Sequence, residues 1–484
     1  MERFFDSYEV NRELFYEYLR VGDSFDLVER RLTVGEERLS LFFIDGFVKD
    51  AEMQKTMQYF LSQKSLGDVT QFLHTLPQME AEATDTPEAL ARNVLSGQCG
   101  ILSSSFGAHA VSMDIRTYPT RGVSEPESDR VMQGARDGFV ETLIINTALL
   151  RRRIRDTRLT VRHLSLGGSS GTDLAVCYME GVADPKYVAS VLDKLRAIRP
   201  RSLTLGTQSL AESLIARGWF NPFPKIRTTE RPDTAAAQVV EGSVLILCDT
   251  SPLAMILPTS LFDYLQQTDD YYFPPSTGTY LRIVRTAILL FSVISTPLWY
   301  LGLLYPSFIP PSLLFLIPDA PGALPIIVQL FLAELAIDGL KIASMNTPDI
   351  LSNSLSVIGA LILSDFAISV GWFCEDVILY MAIVSIAGFA QQNHELGYAF
   401  KFMRMMILGL TAALGVAGFA LGIFLFFFFI VTNKTVDGRH YYLYPLLPWN
   451  GQAMKRLLFR TKKSDFFTSD RTSDNTHRRR GRRA

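Results

Sequence analysis

The stretch TAILLFSVISTPLWYLGLLY, residues 286–305, decides the architecture. It runs for about twenty positions without a charge, the length one helix needs to cross a bilayer. Arg282 and Arg285 stand just before it. Upstream, from residue 1 to about 280, charged residues are scattered and apolar runs stay below about ten residues, too short to span. That half reads as globular. Downstream, the apolar texture persists to Val431. The chain divides into a soluble half and a membrane half.

A Pro-rich patch follows the first span: Pro306, Pro310, Pro311, Pro318, Pro321 and Pro325. Four further apolar stretches come after it, at 326–340, 355–373, 377–390 and 405–431. The tail from about 432 carries thirteen Lys and Arg against four acids and ends in RRRGRR, residues 478–483. Basic residues at span ends mark the cytoplasmic side, so both flanks belong there and the number of crossings is even. Five stretches are odd. The stretch 326–340 is short, proline-bounded and holds Glu334 and Asp338. It reads as a re-entrant or broken element lined by protein or water. Five or six full crossings are the alternative. Lys401 and Arg404 fit the scheme badly, because they fall on its outward side. The opening MERFFD lacks a basic region followed by an apolar run, so no signal peptide is expected.

The composition narrows the class. Of 484 residues, 48% are hydrophobic and 20% charged, with a formal net charge of −2. Disorder throughout is excluded, since it needs low hydrophobicity and high net charge. Cys99, Cys177, Cys248 and Cys374 form no CxxC pair, which excludes a disulfide scaffold.

The soluble half contains an internal echo. LFFIDGF, residues 41–47, precedes a helical pattern at Met53, Met57 and Phe60. AVCYMEGV, residues 175–182, precedes another at Val188, Leu192 and Leu195. Placing Gly46 on Gly181 aligns Asp45 with Glu180. Each unit reads as an apolar strand, an acidic-Gly turn and an amphipathic helix. VLILCD, residues 244–249, reads as a third strand. The expected fold is an α/β cytoplasmic region of two subdomains plus an α-helical multi-pass membrane domain. The expected boundaries are 1–130 and 131–280 for the subdomains, 281–431 for the membrane domain, with about four spans plus the broken element, and 432–484 for a basic cytoplasmic tail.

Chemistry-bearing motifs are few. GGSSGT, residues 167–172, precedes a strand and lacks a following Lys, so it reads as a turn and not a phosphate cradle. The six histidines show no HExxH or i,i+4 pairing, so no metal site is expected. No cofactor, catalytic set or nucleic-acid partner is expected. The cysteines read as packing residues. Arg151 to Arg155 read as a solvated helix end pairing with acids such as Glu141 and Asp156. Glu334, Asp338 and Asp365 matter more, because a charge at membrane depth costs at least roughly 2.5 kcal/mol. They read as a candidate ion pathway; for Asp338 and Asp365 a place near the headgroups is the simpler alternative. Gly415, Gly418 and Gly422 are spaced for close helix packing, within or between subunits. The Arg-rich tail reads as an anchor near anionic lipid headgroups.

Several runs carry a family resemblance. RDGFVE from Arg136, Asp137 and Gly138 to residue 141, then NTALLRRRIR at 146–155, resemble the GerA family of spore germination proteins. So do Glu230-Arg231-Pro232-Asp233, and Asp249-Thr250-Ser251-Pro252. The closing YPLLPW, residues 444–449, adds to the likeness. The resemblance covers most of the chain. It implies a multi-pass protein of the spore inner membrane with both termini cytoplasmic. It also implies homo-oligomers, pentamers among them, that act as cation channels in germination beside other spore membrane proteins. A non-conducting scaffold that organises germination proteins is the second expectation. Carboxylates facing a central pore would favour the channel, and carboxylates held in pairs within one chain would favour the scaffold.

Overall fold

A computed structural model of the chain describes residues 3–459, apart from 49, 79, 117–130, 199–201, 216–219, 347–366, 392, 437 and 439–440. The first unit opens with α1 (Tyr8–Leu19) and the hairpin β1 (Leu27–Val34) and β2 (Glu37–Ile44). Then come α2 (Asp50–Ser62), α3 (Val69–Thr75), β3 (Ala81–Thr84), α4 (Pro87–Leu95), β4 (Cys99–Ser103) and β5 (Ala110–Met113). The second unit repeats this order. It comprises α5 (Leu143–Arg153), β6 (Leu159–Leu166), β7 (Thr172–Met179), α6 (Pro185–Ala197) and α7 (Thr207–Leu214). It ends with β8 (Arg227–Thr229), α8 (Pro232–Val240), β9 (Val244–Cys248) and β10 (Ala254–Leu257).

The two antiparallel sheets have the same topology, β1-β2-β4-β5-β3 and β6-β7-β9-β10-β8. The echo about Gly46 and Gly181 is therefore part of a duplicated unit. Both glycines follow the second strand of their sheet with φ of 85° and 75°, a region that glycine enters without a Cβ penalty. The residue before each makes the same bond. Asp45 N–H donates to the Asp26 carbonyl at 2.8 Å, and Glu180 N–H to the Arg158 carbonyl at 2.8 Å. Both α4 and α8 begin on a proline, which costs no helical hydrogen bond at that position.

Strand periodicity splits the second core into two layers. Leu174, Val176 and Tyr178 face α6 and α7, while Ala175, Cys177 and Met179 face α5 and α8. Cys177 and Cys248 are buried in these layers and Cys99 in the core of the first unit, where burial pushes its thiol up to about 12. Arg151 departs from the solvated helix end expected of it. It is fully buried and crosses to the first unit, where its Nε donates to Asp26 Oδ2 at 2.8 Å and its Nη2 to Asp26 Oδ1 at 3.0 Å. The Leu159 carbonyl and Ser24 Oγ take further bonds from Nη2, so the buried charge is paired and its donors are used. Arg153 does pair locally, with Asp137 at 2.6 Å.

After α9 (Leu261–Leu265) and α10 (Asp269–Tyr272), the chain enters α11 (Pro275–Leu304), which holds the 286–305 stretch to within one residue. α12 (Ile326–Asn346), α13 (Glu375–Phe389) and α14 (His394–Thr432) complete a helix bundle, and α15 (Gly451–Leu458) follows. Among the described residues, α11 and α14 are long and apolar enough to cross a membrane, by length and composition.

Two expectations are corrected here. The 326–340 stretch is not broken: α12 runs as one helix of 21 residues. Its carboxylates find cations on another helix, so the backbone does not have to open. The 405–431 stretch is not one span. Gly415 has φ 60° and ψ −132° inside α14, and the chain reverses there. Phe400 and Phe426 rings meet at 5.7 Å, whereas a straight helix would hold residues 26 apart at about 39 Å. A Cβ on Gly418 would overlap the Leu410 carbonyl, and one on Gly422 would lie 3.0 Å from Ile407 Cα. The three small residues thus let residues 394–414 and 416–432 pack as a hairpin.

The contacts also fix helix directions. Ser292 meets Arg404 and Tyr305 meets Gly415, so α11 and the first leg of α14 are parallel. Glu334 meets Arg404 and Lys341 lies over Tyr398, so α12 runs the opposite way. The second leg returns to the α/β units. Asn221 Nδ2 donates to the Phe429 carbonyl at 2.8 Å, and Lys194 Nζ donates to the Val436 carbonyl. The chain before α11 and the chain after α14 therefore lie at the same end of the bundle.

Gly418→Ala tests the hairpin. A helical Gly→Ala exchange in open space gains about 1 kcal/mol, whereas overpacking costs roughly 1–3 kcal/mol, and overlap with a backbone carbonyl lies at the upper end of that range. The expected result is a lower thermal midpoint in detergent. Gly409→Ala, whose Cβ meets only the Phe331 ring at 3.9 Å, should match or exceed the parent. Equal midpoints for the two variants would refute the close approach.

Candidate functional site

α12 presents Glu334 and Asp338 four residues apart, on one face. The first leg of α14 presents Lys401 and Arg404 three residues apart, again on one face. The two faces meet. Glu334 Oε1 accepts from Arg404 Nε at 2.9 Å and also from Arg404 Nη2. Lys401 Nζ lies 2.9 Å from Glu334 Oε2 and 2.5 Å from Asp338 Oδ2. Arg404 Nη1 donates to the Ser292 carbonyl of α11 at 3.3 Å. Glu334 and Arg404 are 5% and 6% exposed, so neither charge is shared with solvent.

A cavity of about 80 Å³ adjoins these charges. It is lined by Glu334, Asp338, Lys401 and Arg404, together with His394 from α14 and Ser385 from α13. That volume holds a few waters or one small hydrated ion, and its polar walls can bind either. Lys341 also reaches it, with its Nζ 4.8 Å from the Tyr398 ring centroid. Asp365 lies outside the described residues, so it is placed neither in this cluster nor away from it.

Lys401 and Arg404 are site residues that sequence reasoning set aside. The signal was present: two acids at i,i+4 in one apolar stretch and two bases at i,i+3 in another. Read as complementary faces, they predict a helix contact. Read as span-end charges, they only confuse the topology.

A second charged node joins the bundle to the α/β units. Asp270 of α10 is fully buried and accepts from Arg285 Nη1 and Nη2, both at 3.2 Å, and from Arg282 Nε at 3.4 Å. The motif residues gather near it. Arg231 donates through Nη2 to Asp233 Oδ2 at 2.7 Å and to the Ala135 carbonyl at 2.9 Å. The Tyr272 hydroxyl donates to Asp233 at 2.8 Å. Burial pushes the Asp233 carboxyl up, but Arg231, Tyr272 and the Thr234 N–H outweigh it and hold the group below the usual carboxylate range. Phe139 N–H, next to buried Gly138, donates to the Glu230 carbonyl at 2.7 Å, while Arg136 is exposed. Asp249 Oδ1 caps the start of α5 through Leu143 N–H at 3.0 Å. The following Thr250, just before Pro252, has φ 63°, a conformation β-branched residues rarely adopt. Pro232 opens α8. The motif thus builds the joint between α5, α8 and α10.

The chain is similar to known proteins over most of its length. A family described as Bacillus/Clostridium GerA spore germination protein matches residues 17–471. Stage V sporulation protein AF of Bacillus subtilis (strain 168) is 36% identical over 460 residues, covering 94% of this chain and 92% of that protein. Spore germination protein KA of the same organism is 26% identical over 451 residues, covering 91% and 82%. The crystal structure of the N-terminal domain of the A subunit of the Bacillus megaterium spore germinant receptor GerK3 matches at 22% identity and a TM-score of 0.39, covering 53% of this chain and 96% of that one. On the family match and the 36% identity, this chain belongs to the GerA family of spore germination proteins.

Proposed function

We propose that this chain is a multi-pass protein of the spore inner membrane that assembles into homo-oligomers and conducts cations during germination. The observation that carries the reading is the charged cavity between α11, α12, α13 and α14. Acidic groups beside a cavity with room for water are one of the arrangements that serve cation passage through a bilayer. Lys401 and Arg404 hold Glu334 and Asp338 in the closed arrangement, and their release would expose two carboxylates to an ion. The division at 130, 280 and 431 then separates two cytoplasmic α/β units, the membrane domain and a basic tail near lipid. Five helical legs are described, and the chain before α11 and the chain after α14 lie at one end of the bundle, which supports placing both termini on the cytoplasmic side.

One observation favours the scaffold instead. Glu334 is paired within its own chain, the arrangement expected of a structural charge that organises helices and conducts nothing. Two experiments follow, and the second separates the readings.

The first measures the pairing. Removing one partner of a buried ion pair costs roughly 3–5 kcal/mol, because the other charge is stranded. Arg404→Met and Glu334→Gln should each lower the unfolding midpoint in detergent, and the double variant should recover much of the loss. Strict additivity would mean that the two side chains do not act together.

The second measures flux from reconstituted vesicles at matched protein. Lys401→Met should raise basal cation efflux several-fold by freeing Asp338 and one Glu334 oxygen. Glu334→Gln and Asp338→Asn should lower it. Identical flux in all four proteins would leave the scaffold reading standing.

A further inference from the structure

The closing YPLLPW run is outside the charged cavity and has a built geometry of its own. Tyr442 is 1% exposed and anchors the segment: its carbonyl accepts from Leu261 N–H at 2.8 Å, and its ring packs near Phe223 at 6.5 Å. Tyr441 and Tyr444 stack at 4.7 Å. The loop then closes on itself. Leu446 and Leu447 N–H both donate to the Leu443 carbonyl, at 2.7 and 3.0 Å, and Asn450 N–H donates to the Pro445 carbonyl at 3.0 Å. Asn450 also fixes the next element. Its Nδ2 donates to the Tyr444 hydroxyl at 3.0 Å, and its Oδ1 caps α15 through Gln452 and Ala453 N–H at 3.2 and 3.1 Å.

This rigid loop turns its apolar side chains outward. Leu447 is 53% exposed and Trp449 69%, with Leu446 and Pro448 exposed beside them and Phe459 at the far end of α15. A chain that folds a loop this tightly, only to leave four adjacent apolar residues uncovered, is presenting them to something. Its position says to what. Arg282 Nη1 donates to the Leu457 carbonyl at 2.7 Å. Arg282 precedes the uncharged 286–305 stretch by one helical turn, so α15 lies at the level where α11 would enter the bilayer. Tyr280 and Ile283 of α11 are exposed at that level too. Lys455 is exposed on α15, and Arg456, Arg460, Lys462 and Lys463 flank it in sequence.

We infer that the Leu446–Trp449 loop and α15 form an interfacial anchor that sits in the lipid headgroup layer on the side of the α/β units. Trp449, Leu446 and Leu447 enter the acyl boundary, and Lys455 meets anionic headgroups. The anchor holds the joint formed by Asp270, Arg282 and Arg285 against the membrane plane. The inference rests on the reading of α11 as a membrane span.

Cys99, Cys177, Cys248 and Cys374 are buried, so a spin label on Trp449→Cys reports one accessible site in the full chain. The chain is reconstituted in vesicles of phosphatidylcholine and phosphatidylglycerol. Collision with lipid-soluble oxygen should exceed collision with an aqueous nickel chelate several-fold. Leu447→Cys, carried in parallel, should give the same result and guards against a local folding defect at 449. Leu298→Cys, on the exposed face of α11, checks the underlying reading. Aqueous contact at 449 and 447 with lipid contact at 298 overturns the anchor and leaves the span intact. An immobilised label that neither reagent reaches assigns the loop to a protein partner and also overturns the anchor. Aqueous contact at all three positions overturns both readings.

Discussion

A carboxylate inside an apolar bundle must be neutralised or removed, and Glu334 is neutralised by two cations from a helix 70 positions away in sequence. Much of the bundle follows from that constraint. It sets α12 against the first leg of α14 at a fixed height, because Glu334 cannot slide a turn without losing Arg404. It lets α12 stay unbroken. It also spends Lys401 and Arg404 on the interior, so they carry no information about which side of a membrane they face. The same device recurs at Asp26 with Arg151, and at Asp270 with Arg282 and Arg285. The three nodes join α/β unit to α/β unit, α/β unit to bundle, and helix to helix. Buried ion pairs add little net stability over well-packed apolar groups, but a broken one is costly. Such nodes select one arrangement among many of similar apolar burial.

The sequence was legible where local chemistry alone decides the structure. Gly46 and Gly181 announce their turns because only glycine sits easily at φ 85° and 75°, and the acid before each made the repeat visible. The alternation of Leu174 to Met179 between two cores follows from strand geometry. The apolar part of α11 was marked by the loss of charge after Arg285, although the helix itself begins ten residues earlier, at Pro275. The RPD and DTSP motifs pointed to the family, which the comparisons bear out. What failed was anything that depends on direction or distance. Hydropathy counts apolar residues but cannot see Gly415 reverse them, since the sequence is uncharged on both sides of it, at 405–414 and 416–431. Arg151 sits in a run of arginines that reads as solvated, and its partner Asp26 is 125 positions away.

The duplication gives the α/β half a division of labour. The second unit carries the RDG, ERPD and DTSP motif residues, and with the α9 that follows it touches the bundle through Phe223, Leu261 and Tyr264. The first unit meets it through α5, whose Ile144 and Ala148 lie within 3.1 Å of where a Gly46 Cβ would be. Gly46 thus serves a turn and a close approach at once. The same strand order supports two roles, one unit built as a joint and the other as the body it turns against.

The hairpin at Gly415 also bears on how the protein is made. Its apex is one glycine between two apolar legs, so on the proposed membrane reading no hydrophilic loop would have to be carried across when it inserts. Lys401 and Arg404 are the hydrophilic burden of that hairpin, and their partners lie on α12, which leaves the ribosome earlier. On the same reading, Glu334 and Asp338 wait without their counter-charges until the hairpin arrives, and α12 has no reason to settle in lipid alone. Assembly of the last two legs and the final seating of α12 are therefore one event. A defect in either during biogenesis strands the other before any question of germination arises.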